Sequence, residues 1–160
     1  MSKHLHIDHL VYATPDLADT VADIGAGTGY FSFRLSKVVP QGKVLAEDIQ
    51  QEMLDIIAAK KKEGEGANVV PVLGGVTDPR LPANSVDLII MVDVYHEFSQ
   101  PQRMLEKLKE AIKPGGRLVL FEYRAEDPEV PIRPEHKMTK AQVKLEVEHE
   151  GFVQQRVFDD

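Results

Sequence analysis

The chain has 160 residues, a net charge of −7 from 19 basic and 26 acidic side chains, and no cysteine. That length fits one domain with a substantial core, and the acidic balance disfavours nucleic acid as the main partner, because phosphate binding needs a basic surface. Absence of cysteine excludes a disulfide framework, a thiolate metal site and a cysteine nucleophile; no apolar run approaches the roughly 20 residues of a membrane span, no signal-peptide pattern opens the chain, and a cytosolic protein is expected.

In chain order, residues 1–19 form an N-terminal extension whose apolar stretch, about Ile7 to Ala13, reads as a strand; residues 20–160 form the main domain. "TVADI" is the first strand of that domain, running into "GAGTGYF" and the helix "YFSFRLSKVV", which ends before Pro40 and Gly42. "KVLAE" is the second strand, and the helix "QQEMLDIIAAKKK" follows. Its terminal lysines, Lys60 to Lys62, are the one basic block; at a helix C-terminus they favour the negative end of the dipole and read as a solvated end. "NVVPVL" is a third strand, placed at an edge or an irregularity by Pro71. "VDLIIMV", unalternating, reads as a fourth strand buried on both faces. A helix from about Pro101 to Ile112 has Ser99 as its candidate cap, and "KPGG" turns the chain into a fifth strand, "RLVLFE". The proline-punctuated segment "EYRAEDPEVPIRPEHK" is a long loop of the kind that carries function. Thr139 and Gln142 make a capping-box pattern for the helix "KAQVKLEVEHE", stopped by Gly151, and "FVQQRVF" reads as a last strand with no partner to follow. Alternating strands and helices of these lengths predict a doubly wound, mostly parallel α/β sheet, truncated at its C-terminal strand.

The glycine turn carries the first chemical signal. A strand running into a helix through three glycines leaves backbone amides to cradle a ligand at the helix N-terminus. The dinucleotide fingerprint requires G-x-G-x-x-G; counted from Gly25, Tyr30 occupies the third glycine position, and Gly29 makes the spacing G-x-G-x-G instead. That argues against a nicotinamide dinucleotide, which is left as a distant alternative.

Over about residues 20–158 the chain resembles the class I S-adenosylmethionine-dependent methyltransferases. The resemblance rests on Asp23 with Gly25, Ala26, Gly27 and Gly29 in the turn, on "AEDIQQEML" after the second strand, on "MVDVYHEF" ending the fourth and on "KPGGRLVLFEY" approaching the fifth. It implies S-adenosylmethionine as cofactor, with the turn packed on it and Asp23 holding its amino group; alternatively, Asp23 only fixes the turn. It also implies Asp48 accepting from the ribose hydroxyls and Ile49 packing on the adenine, although Asp48 also suits a helix start. Glu47, one residue earlier, should point to the other side of the strand. The adenine-binding acidic residue common in the family is replaced by Gly75; the Val76 amide is left as a contact, and Asp78 reads first as part of a turn.

Asp93, Tyr95, His96 and Glu97 end the strand expected beside the first, at the topological switch point where such sheets bind ligands. Methyl transfer needs donor and acceptor aligned and water excluded, and a neutral oxygen or nitrogen acceptor must lose a proton, for which histidine is suited. His96 is the first candidate base, Asp93 and Glu97 its orienters or cofactor contacts, and His136 in "RPEHKM" a second candidate; each histidine can instead be structural. Absence of cysteine argues against a thiol-dependent arsenic methyltransferase. The segment "DHLVYATPDL" resembles the opening strand of a glyoxalase-like, vicinal-oxygen-chelate domain, where His9 would be a ligand, but the rest of that fold has no room. His4, His6 and His9 have no spacing of a tetrahedral site, and no metal site is expected. The first strand is expected to pair with an open sheet edge, in a homodimer if not within the chain. Two functions remain: methyl transfer to a small-molecule acceptor, or a cofactor-binding scaffold without catalysis.

Overall fold

The computed structural model describes residues 14–158. Five strands form one sheet in the order β3-β2-β1-β4-β5: β1 Thr20–Ile24, β2 Lys43–Asp48, β3 Val69–Leu73, β4 Val86–Val92 and β5 Ile112–Phe121. Every pair is parallel. Four helices connect or follow them: α1 Tyr30–Val38, α2 Gln51–Lys62, α3 Pro101–Ala111 and α4 Lys140–His149. The chain reverses its direction of growth across the sheet between β1 and β4, so the crevice at their carboxyl ends is the switch point.

The unbroken apolar run of β4 has a two-sided explanation. Leu88 and Ile90 enter one core cluster with Phe33, Leu35, Leu54 and Ile57 from α1 and α2. Ile89 and Met91 enter the other with Met104, Leu105 and Leu108 from α3. Pro71 lies in β3, an edge strand, where its missing N–H breaks no ladder on the outer side.

Three expectations need correction. The "KPGG" stretch does not precede β5 but interrupts it: Ile112 pairs with Val86, and pairing resumes at Arg117 with Leu88. The Lys113 ammonium, 2.9 Å from the Asp87 carboxylate, ties this excursion to β4. Ser99 does not cap α3; Gln100 occupies the cap position without a side-chain bond, and Pro101 opens the helix, where a missing N–H costs nothing. Residues 152–158 form no strand; Val153 and Val157 are exposed, because an alternating apolar pattern becomes a strand only where a ladder partner is offered. The Thr139 hydroxyl does cap α4, accepting from the Gln142 N–H at 3.0 Å, while the Gln142 side chain donates onward to Glu146.

The expected N-terminal strand and His4, His6 and His9 lie outside the described residues. No helix among the described residues is long and apolar enough to cross a membrane.

Candidate active site

At the carboxyl edge, the turn after β1 meets the end of β2. Gly25, Gly27 and Gly29 all have positive φ, at 69°, 54° and 84°. At Gly25 space matters as well, since a Cβ there would run into Val94 beyond β4. The turn amides expected to stand free are engaged within the protein. Gly25 N–H donates to Glu47 Oε2 at 3.3 Å, Gly27 N–H to Asp48 Oδ2 at 2.9 Å, Ala26 N–H to the Glu47 carbonyl and Gly29 N–H to the Ala26 carbonyl. The reason is register. Ile24 pairs with Glu47, so the turn begins where the two acidic residues end β2. Successive side chains leave a strand on opposite faces, and alternate glycine amides take one carboxylate from each face.

Asp48 also accepts from Gln50 N–H at 2.9 Å, so it serves both as helix-start acceptor and as part of the glycine turn. Asp23 is buried and accepts from the Ser32 hydroxyl at 2.6 Å. Burial raises its carboxyl to about 7 against that bond, and the Asp48 charge adds to the rise. Burial lifts Glu47 to about 8, opposed by the Gly25 amide and reinforced by the Asp48 and Asp23 charges. Glu47 Oε1 is buried without a hydrogen-bond partner among the described residues, and Gly74 lacks the Cβ that would occupy its place. Sequence reasoning set Glu47 aside as facing away; it does leave the other face of the strand, yet the turn closes over it.

Ile49 and Val76 are about half exposed at this edge, available to a planar apolar group. Gly75 N–H is taken by the Asp78 carbonyl at 2.8 Å, and Asp78 Oδ1 accepts from Arg80 N–H, so both residues serve a turn.

On the other side of the switch point, Val94 links the two halves. Its side chain abuts Gly25, and its N–H donates to Glu122 Oε1 at 3.2 Å. Glu122, just past β5, was not singled out from the sequence; its one signal is an acidic residue closing an apolar strand. Its Oε1 accepts also from Tyr95 N–H, and its Oε2 lies 2.8 Å from His96 Nδ1. Burial pushes the Glu122 carboxyl up, and the bond to His96 opposes this. His96 Nε2 is 3.1 Å from His136 Nδ1. His136 arrives there because the loop after β5 closes on itself: Met138 N–H donates to Tyr123 O and Ala125 N–H to Met138 O. Asp93, His96, Glu97, Pro131, Ile132, Arg133 and His136 line a cleft of about 380 Å³. Asp93 sits at its lip in a left-handed conformation, φ 53°, with its carboxyl raised by desolvation and held back by the His96 charge. Tyr95 does not join this group. Its ring is buried and its hydroxyl donates to Glu146 of α4 at 2.7 Å, which pushes its ionisation further up.

Three buried acidic side chains, Asp23, Glu47 and Asp48, thus lie beside the glycine turn, and Val94 joins this turn to the histidine-lined cleft. The family model of a methyltransferase domain matches residues 21–116, more than half of the chain. A solved SAM-dependent methyltransferase from Aquifex aeolicus is 32% identical, with a TM-score of 0.84 over 93% of this chain and 80% of that one. The chain belongs to the S-adenosylmethionine-dependent methyltransferase family. An uncharacterized methyltransferase of Mycobacterium tuberculosis is 36% identical over 107 residues, 66% of this chain and 40% of that protein. A demethylmenaquinone methyltransferase of Lactococcus lactis is 31% identical over 104 residues, 64% of this chain and 41% of that protein. The chain thus spans about two fifths of the length of these curated relatives.

The residues present fit the family's cofactor. The charges that reach Asp23 and Glu47 are themselves acidic, and Glu47 Oε1 has no hydrogen-bond partner among the described residues. An ammonium would supply both a positive charge and donor hydrogens to this trio, and a sulfonium a positive charge alone.

Proposed function

We propose that the chain transfers a methyl group from S-adenosylmethionine to a small acceptor bearing an O–H or N–H, bound in the cleft between β4 and the loop after β5. Asp23, Glu47 and Asp48 hold the cofactor's cationic and ribose groups, with Ile49 and Val76 against its base. When bound, the cofactor supplies a methyl group on a sulfonium whose departure leaves a neutral thioether.

The observation that carries the reading is the chain Glu122–His96–His136. The His96 side chain is only 4% exposed, and both its nitrogens are engaged. With His96 Nδ1–H donating to Glu122, Nε2 accepts from His136 Nδ1–H. His136 Nε2 is left with no hydrogen-bond partner among the described residues, on a residue that lines the cleft. His136, the second candidate from the sequence, is therefore the proton acceptor, and His96 and Glu122 position it and stabilise the charge it gains. The acceptor's proton passes to His136 Nε2 as its oxygen or nitrogen forms the bond to the methyl carbon. Asp93 and Glu97 set the acidic lip of the cleft.

Titration with S-adenosylhomocysteine and a labelled-methyl screen of small hydroxyl and amine acceptors test this. Failure to bind at millimolar ligand would overturn the cofactor reading, and turnover unaffected by His136→Asn would overturn the assignment of the base. A cytosolic setting is consistent with the absence of cysteine.

A further inference from the structure

The nitrogens that share a proton in this cleft are also spaced as metal ligands. His96 Nε2 and His136 Nδ1 are 3.1 Å apart, close to the separation of about 3.3 Å between two ligands on a tetrahedral zinc ion. Glu97 Oε1 lies 3.8 Å from His96 Nε2, and the ligand atoms of His96, Glu97 and His136 all fall within 4.8 Å of one another. Glu122 binds the far nitrogen of His96 at 2.8 Å. That is the outer carboxylate that fixes the tautomer and ring of a metal-binding histidine. Asp93, His96 and Glu122 form a second possible group, but it would use His96 Nδ1 and give up the Glu122 bond.

We propose that His96 Nε2, His136 Nδ1 and Glu97 form a site for a zinc-type transition dication, which takes the place of the proton shared by the two histidines. Two imidazoles and one carboxylate select zinc, cobalt or nickel over magnesium and calcium, which prefer all-oxygen sites. Three protein ligands leave a fourth position open toward the cleft. Occupancy requires the His136 ring to give up the His96 hydrogen bond, so the cation competes with proton transfer and inhibits turnover. This consequence rests on the proton-handling role above; the binding itself does not.

The test is titration of ZnCl2 into the full chain carrying His4→Asn, His6→Asn and His9→Asn, which removes the N-terminal histidines as rival ligands. One zinc ion per chain is expected, with four-coordinate absorption when Co2+ replaces it. His136→Asn weakens zinc binding at least about tenfold, and Glu97→Gln, on an exposed side chain, weakens it less. Circular dichroism confirms that each variant is folded. No zinc binding, or affinity unchanged by both substitutions, overturns the site and shows that the histidine pair is a hydrogen bond only. Zinc is expected to lower methyl transfer, and a chelator to restore it, while S-adenosylhomocysteine affinity stays the same. A chain that binds zinc but shows no methyl transfer when freed of zinc by the chelator would sink the catalytic reading alone, and one that turns over without binding zinc would sink the metal site alone.

Discussion

The glycine turn after β1 and the histidine cleft beyond β5 share one edge of the sheet, but they are held by different means. In the turn, carboxylates of β2 bond to amides of the neighbouring parallel strand's own extension, at separations of 21 and 22 residues. The ladder that sets the sheet sets these contacts as well. In the cleft, Glu122, His96 and His136 meet across separations of 26 and 40 residues, mostly through side chains. Their alignment depends on a loop that closes on itself by a bridge between Arg124 and Met138. The cofactor contacts proposed for the turn would thus rest on backbone geometry, whereas the proposed proton transfer would rest on a tertiary arrangement that one substitution can loosen.

The largest test of this contrast is His136→Asn. It should lower kcat by about 10²- to 10⁴-fold and leave S-adenosylhomocysteine affinity unchanged, as read from initial rates and titration of the same preparation. Parallel loss of both would mean that the two regions are one unit. Asp48→Asn should do the reverse. By weakening the charged-acceptor bond at Gly27 and the one proposed to the ribose, it should lower cofactor affinity by about 1.5–3 kcal/mol, roughly 10- to 150-fold, while kcat at saturation holds.

The buried acids predict a pH signature for the turn alone. Asp23 and Glu47 keep their protons in the folded chain up to about 7 and 8. In the unfolded chain they ionise near the ordinary carboxylate range of about 4. Above that range the native state binds more protons than the unfolded state, so stability must fall as pH rises. Their contribution is full below about pH 4 and lost as pH climbs through 7 and 8. Chemical denaturation from pH 5 to 9 should show this decline, and Glu47→Gln should flatten it. For the same reason a cationic cofactor, which favours the ionised acids, should release protons on binding near pH 7; calorimetry in buffers of different ionisation enthalpy reads this directly. The smallest effect is expected at Thr139→Ala. Loss of the α4 cap should cost about 1 kcal/mol in thermal unfolding and leave cofactor affinity intact.

Legibility in the sequence followed the same division. Strand β4 was readable because a strand covered on both faces must be apolar throughout, and the edge position of β3 because Pro71 lacks a donor. Asp23, Gly25, Gly27, Gly29 and Asp48 were readable because a tight turn and a charged acceptor restrict residue type at fixed spacing. Glu47 does take the far face that alternation assigns it, but alternation cannot show that the turn folds over it. Residues 152–158 carry a strand-like pattern without a strand, since pairing depends on a neighbour that a pattern does not specify.

By itself, then, the order of residues determined the parallel sheet, the switch point and the character of the turn, all of which follow from local periodicity and short spacings. Only the tertiary structure decided that the turn amides belong to Glu47 and Asp48 and that Tyr95 faces the core. It alone brought Glu122 behind His96 and left His136, of the two cleft histidines, with a nitrogen to spare. Those outcomes depend on where a loop closes and which side chains then compete for the same donors, and neither is encoded at any single position.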